Sequence, residues 1–162
     1  MKICIKGIDN ERIIENIFIS GSKSESNRLL ILQKLFDGIT INNLSDSDYT
    51  HHLQHALLTN DTYINIGHAG TAMRFLTAFF ATQSNRTVTL SGSERMHQRP
   101  IKILVDALRS LGAEILYTEK DGFPPLQIRG KKLTKNNVKI NGNISSQYIS
   151  ALLQIEIGRA HV

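Results

Sequence analysis

The sequence predicts an α/β (α+β) repeat fold. Three observations carry this: a strand, turn and helix pattern recurs four times, a hairpin pattern follows the third, and no low-complexity linker divides the series. Each turn is built of Gly, Ser, Thr or Pro and leads into an apolar helical pattern.

The first unit reads "IFIS" as strand, "GSKSESNR" as turn and "LLILQKLF" as helix. "ITINNLSDSD" follows as a strand and then a helix start, with Ser45 or Ser47 placed to cap it. The second unit runs from "TYINI" through "GHAGT" into "AMRFLTAFFAT", and the third from "VTLSGSERMHQRP" into "IKILVDALRSLGAEI". In the third, Pro100 fits the first helical turn, where its missing N–H costs nothing, and Gly112 fits the helix end. "AEILYTEKDGFPPLQIRG" reads as a hairpin turning at "KDG", with Pro124 and Pro125 behind the turn. The fourth unit reads "NVKINGNISSQ" into "YISALLQI".

A chain of 162 residues that is 41% hydrophobic can bury one ordinary core and part of a second. No apolar run reaches the roughly 18 residues a membrane span needs, and Lys6, Asp9, Glu11, Arg12 and Glu15 interrupt the start. The expectation is a cytoplasmic protein with no membrane partner. Cys4, the single cysteine, excludes an internal disulfide and a cysteine-rich metal site, and reads as a strand core residue. The net charge of +5 suits a nucleic acid or a small anionic substrate equally. Distribution favours the substrate: the basic residues are scattered, the one dense patch, "GKKLTKNN", reads as a solvated turn, and no aromatics alternate with lysines to stack bases.

The turns themselves look like a site. The first N–H groups of a helix lack internal partners and carry the positive end of its dipole, so hydroxyl-rich helix starts suit anions. Lys23 and Arg28 would bring full charges there, Arg28 in the fork that matches a carboxylate, and Ser22, Ser24 and Ser26 would bring neutral donors. Cations at a helix start oppose its dipole, a conflict that a bound anion offsets. In "GHAGTAMR", Gly67 and Gly70 let backbone approach a ligand, Thr71 can cap, and Arg74 sits one turn in. Arg95 and Arg99 flank Met96, His97 and Gln98, and "SSQ" (Ser145, Ser146, Gln147) repeats the hydroxyl theme. His51 and His55 of "HHLQH" lie one helical turn apart, but without a third ligand nearby they read as polar helix surface and no metal is expected. Asp46 and Asp48 read as caps.

Five ordered stretches, "GSKSESNRLLIL", "AGTAMRFLTA", "RMHQRPIKILVDALRSLGA", "GFPPLQIRG" and "GNISSQYISALL", resemble the first half of the 5-enolpyruvylshikimate-3-phosphate synthase family. The match runs from Ile17 to Leu153. The resemblance implies an enolpyruvyl transferase fold, an inside-out α/β barrel of two similar domains, each of three βαβαββ units, here truncated. It implies a monomeric cytoplasmic enzyme without metal or organic cofactor. Its reaction would move the enolpyruvyl group of phosphoenolpyruvate to the 5-hydroxyl of shikimate-3-phosphate, through a tetrahedral adduct that expels phosphate, in the shikimate pathway to chorismate and the aromatic amino acids.

Carried over motif by motif, Ser24 and Arg28 would hold the shikimate carboxylate, Ser145 and Ser146 its phosphate, and Gln147 would lie against the ring. Lys23, Gly70, Arg99 and Gln147 would face phosphoenolpyruvate, with Lys23 neutralising charge as the adduct forms. His68 stands where Asn or Asp commonly precedes "AGTAMR", and Phe75 where many members have proline, so neither is given a role.

Residues 1–19 would then pack with the second domain, 20–155 would form an incomplete first domain, and 156–162 would be a non-native tail. "EIGRAHV" is what a common sequencing-adapter string encodes when one base precedes it. On this reading the fragment is inactive alone, because the family's proton-transfer carboxylates come from the second domain. The rival within enolpyruvyl transfer is the enzyme acting on UDP-N-acetylglucosamine, whose first motif reads more like "GAKN", without the "SESNR" that supplies Arg28. The rival of another class is a basic nucleic-acid-binding domain.

Overall fold

A computed structural model describes residues 16–141, 143 and 145–159, with side chains to residue 157. Cys4, most of the 1–19 segment and the last residues of the expected tail lie outside them. The helices are α1 (Lys23–Leu35), α2 (Asp48–Leu58), α3 (Gly70–Thr82), α4 (Glu94–His97), α5 (Lys102–Ser110) and α6 (Ser146–Arg159). The strands are β1 (Tyr63–Asn65), β2 (Thr87–Ser91), β3 (Glu114–Tyr117) and β4 (Leu126–Arg129).

The strands form one sheet in the order β1-β2-β4-β3. β1 runs parallel to β2, with Ile64 opposite Leu90, and the other pairs are antiparallel, Ile128 lying opposite both Val88 and Ile115. Strand alternation sends Ile64, Val88, Leu90, Ile115, Leu126 and Ile128 inward and leaves Asn65, Glu114, Gln127 and Arg129 outside. Setting aside the single-turn α4, β1 to β4 make one complete βαβαββ unit.

A helix apolar all round must be buried all round, and α3 is: from Ala72 to Ala81 only Arg74 escapes full burial. It packs against the sheet and against α1, α2, α5 and α6. No helix among the described residues is long and apolar enough to cross a membrane.

Three expected strands do not form: "IFIS", the start of "ITINNLSDSD" and "NVKI" are irregular. A strand needs a neighbour to take its N–H and C=O groups, and among the described residues none pairs with these. Phe18 is 97% exposed, whereas Ile41, Val138 and Ile140 half-bury their side chains against the core.

Local chemistry settles the helix ends. Ser47 caps α2, its Oγ accepting from the Thr50 N–H at 3.4 Å. Ser45 is instead buried and donates its N–H to Ser26 Oγ at 2.9 Å, and Asp46 pairs with His51 at 3.0 Å rather than capping. Asp48 opens the first turn of α2, where the dipole favours it. Pro100 falls outside the first turn of α5, because Ile101 takes the N-cap. Gly112, at φ +105°, follows the α5 C-cap as expected. The hairpin closes through Phe123 N–H to Lys120 C=O at 3.1 Å, in a wider connection than a tight turn. "GKKLTKNN" is not wholly solvated, since Leu133 is buried and Lys131 Nζ meets Glu114 Oε1 at 2.6 Å. Hydrogen bonding and charge from Lys131 hold the Glu114 carboxyl below its usual range.

Burial pushes the Tyr117 hydroxyl up to about 12 from 10.0, against the Arg109 guanidinium 4.9 Å from its ring. The folded state therefore holds this proton where the unfolded chain releases it, and stability is lost as pH rises from about 10 towards about 12. Thermal unfolding across that window is expected to show the loss, and Tyr117→Phe to remove part of it. An unchanged slope in the variant would assign the loss elsewhere.

Candidate functional site

The starts of α1, α3 and α6 meet at one end of the molecule, held by side chains that cross between them. Arg28, one turn into α1, donates Nη1 to Ser24 C=O at 2.8 Å and Nη2 to Ser150 Oγ of α6 at 3.2 Å. Its guanidinium lies 5.4 Å from the Phe75 ring of α3. Gln154 returns a bond from α6, Nε2 to Arg28 C=O at 2.8 Å. In the first turn of α6, Gln147 Nε2 donates to Thr71 Oγ1 at 3.1 Å, next to Gly70. Tyr148 donates to Pro100 C=O at 2.8 Å, which ties α6 to the approach to α5.

Gly70, the buried first residue of α3, makes room for cations. Arg99 Nη1 occupies the space a side chain at Gly70 would need, and Arg74 Nη1 donates to Gly70 C=O at 2.7 Å. Arg74 Nε is buried without a hydrogen-bond partner among the described residues. Beside this pair lies a cavity of about 170 Å³ lined by Tyr49, His68, Arg95, Met96 and Arg99. Lys23 Nζ sits 4.4 Å from the Tyr49 ring centroid, and His68 meets the same ring edge-on at 4.9 Å.

Ser145 and Ser146 are exposed at the mouth of α6, Ser145 Oγ accepting from the Gln147 N–H at 3.3 Å. Ser24 is exposed beside Lys23. Of the expected site residues, Lys23, Ser24, Arg28, Gly70, Arg99, Ser145, Ser146 and Gln147 thus belong to these convergent helix starts or to Arg99's approach to one. Ser22 and Ser26 are instead engaged in holding the fold. Ser22 caps α1, accepting from the Glu25 N–H at 3.5 Å, and Ser26 is buried against Ser45. Ser26 belongs to a buried polar seam in which Thr50 Oγ1 donates to Asn27 Oδ1 at 2.9 Å. Among the described residues no group of three His, Cys, Asp or Glu side chains is placed to hold a metal.

The electrostatics are one-sided. Among the described residues, none of Lys23, Arg28, Arg74, Arg95 and Arg99 forms an ion pair, while the carboxylates serve Lys102, Arg109, Arg129, Lys131, His51 and His97. Unpaired cations gathered at positive helix ends repel one another and the dipoles, so the arrangement favours anionic oxygens. Sequence reasoning missed Tyr49 and Ser150. Tyr49 carried a signal, as the one aromatic in the first turn of α2, whereas Ser150 lies inside a helix whose facing depends on packing.

The EPSP synthase (3-phosphoshikimate 1-carboxyvinyltransferase) family model matches residues 49–156. The 3-phosphoshikimate 1-carboxyvinyltransferase of Bacteroides fragilis is 50% identical over 145 residues, covering 89% of this chain and 35% of that protein. Its counterpart from Actinobacillus succinogenes is 41% identical over 174 residues, covering 88% and 40%. The chain therefore spans well under half the length of these relatives. The fold is similar to a solved structure of EPSP synthase from Acinetobacter baumannii, with a TM-score of 0.73 and 21% identity, over 85% of this chain and 37% of that one.

Proposed function

The chain belongs to the EPSP synthase family, and from that premise we propose that it supplies the shikimate-3-phosphate half of a 3-phosphoshikimate 1-carboxyvinyltransferase site. The observation that carries this reading is the convergence of unpaired cations on three helix starts. On it, Arg28 and Ser24 take the substrate carboxylate, Ser145 and Ser146 its phosphate, and Gln147 packs on the ring. Lys23, Arg99 and the open backbone at Gly70 face phosphoenolpyruvate.

The proposed chemistry transfers the enolpyruvyl group to the 5-hydroxyl through a tetrahedral adduct and releases phosphate. Charge that develops on the adduct is met by donors already fixed in place, which is where such a site gains its rate. Both substrates are anions, so the basic balance of the chain needs no nucleic acid. The reading implies a cytoplasmic enzyme, monomeric at full length. Residues 1–19 are proposed to pack on a second domain and 156–162 to be non-native.

Catalysis on this reading needs residues from the remainder of the relatives' length and closure of two domains around the substrates. Calorimetry on the 162-residue chain is expected to show weak binding of shikimate-3-phosphate, lost in Arg28→Ala, and no product when phosphoenolpyruvate is added. Measurable product from the chain alone would refute the need for a second domain. Salt-dependent binding to DNA or RNA, with no response to shikimate-3-phosphate, would replace the reading with the nucleic-acid one.

A further inference from the structure

We propose that His68 is a protonation-dependent donor to the anion in the cavity it lines, an inference that rests on the site reading above and assigns a residue which that reading leaves without a role. The imidazole is exposed at the start of the turn into α3 and forms one wall of the cavity of about 170 Å³ whose other walls include Arg95 and Arg99. A water takes about 30 Å³, so the space holds a handful of waters or one small oxyanion.

The ring is positioned rather than loose. It stands at 89° to the Tyr49 ring at 4.9 Å, and Lys23 Nζ lies 4.4 Å from that same ring. His68 is thereby coupled through one aromatic side chain to a cation on α1. The groups around it are Tyr49 and His52 from α2, the latter with its ring 6.4 Å away, Lys23 from α1, and Arg95 and Arg99 from α4 and the segment after it. None of these is a carboxylate. A bound anion would therefore meet donors here with no competing acceptor among these groups. A histidine changes charge between about pH 5 and pH 8, so this wall adds a full charge at the acid end of that range and a neutral dipole at the other.

The consequence is a tighter hold on a small anion below neutrality, by about fivefold to tenfold for one added charge-assisted hydrogen bond at an open site. Inorganic sulfate is the probe, because it keeps its double charge throughout and does not blur the titration as a phosphate ester would. The imidazole signals of the intact chain are followed by NMR against pH, with and without sulfate at fixed ionic strength, His68 being assigned by its loss in His68→Gln. Sulfate is expected to move the His68 titration upward and to leave His55 in place. Its affinity is expected to become nearly independent of pH in His68→Gln and to stay tight at high pH in His68→Lys. A His68 titration that ignores sulfate, or a wild-type pH dependence retained in His68→Gln, overturns the inference. Arg99→Gln separates it from the reading beneath: sulfate binding that survives there with the His68 response intact supports the inference while removing Arg99 from the anion. Thermal unfolding of each variant confirms that the exposed substitutions leave the fold in place.

Discussion

Phe75→Ala is expected to lower the unfolding free energy by about 3–5 kcal/mol, a large share of the 5–15 kcal/mol or so that holds an ordinary domain. Phe75 is 1% exposed on the helix against which the sheet and four other helices pack, so its removal leaves a void among close-packed neighbours. The ring also lies 5.4 Å from the Arg28 guanidinium, whose remaining anchors are Ser24 C=O and Ser150 Oγ. Phe75→Leu separates the two functions. It keeps most of the volume, costs less than about 1.5 kcal/mol, and still removes a cation–π contact of about 0.5–1 kcal/mol. Chemical denaturation measures the first effect, and, on the proposed function, shikimate-3-phosphate affinity measures the second. A loss below about 1 kcal/mol for Phe75→Ala would mean that α3 is not the packing centre.

The importance of α3 was legible because it needs no partner to be recognised. "AMRFLTAFFAT" is apolar on every side, which a lone surface helix never is, and the one arginine in it then demands a purpose. The strands, helices and hairpin of 63–129 were legible one by one for a related reason, since each carries its own alternation or turn, and the structure joins them into the βαβαββ unit that the family resemblance implied. "IFIS" and "NVKI" carry the same local signal but form no strand, because a strand is a relation between two segments and its partner is not written in its own residues.

The site divides similarly. Lys23, Arg28 and Arg99 stood out as cations at helix starts, a local conflict visible in sequence, and Gly70 as a turn residue that leaves backbone open to a ligand. Ser22, Ser24 and Ser26 looked alike there, yet the α-helical turn sends Ser26 into the seam with α2 and leaves Ser24 outside. Only rotation around the helix, fixed by packing, distinguishes them. His68 was illegible for a third reason: a histidine after a glycine turn has no meaning until the Tyr49 ring and the cavity are set beside it.

Gly70→Ala is expected to weaken anion binding about tenfold or more while leaving stability unchanged or slightly raised. Gly70 is the first residue of α3 and has no left-handed backbone to defend, so alanine gains up to about 1 kcal/mol from the smaller entropy of the unfolded chain. The new Cβ meets the tips of Arg99 and Arg74, and Arg99 is exposed and free to swing away. Displacement costs the fold little and removes a charge from the place where it faces the ligand. Stability and binding should therefore move independently, which a packing role for Gly70 does not allow. Sulfate titration with thermal unfolding reads both quantities. The decisive comparison is the double-mutant cycle with Arg99→Ala: if alanine at position 70 acts through Arg99, it should add little once the guanidinium is gone. Full additivity would place its effect on the backbone of α3 or on Arg74 instead.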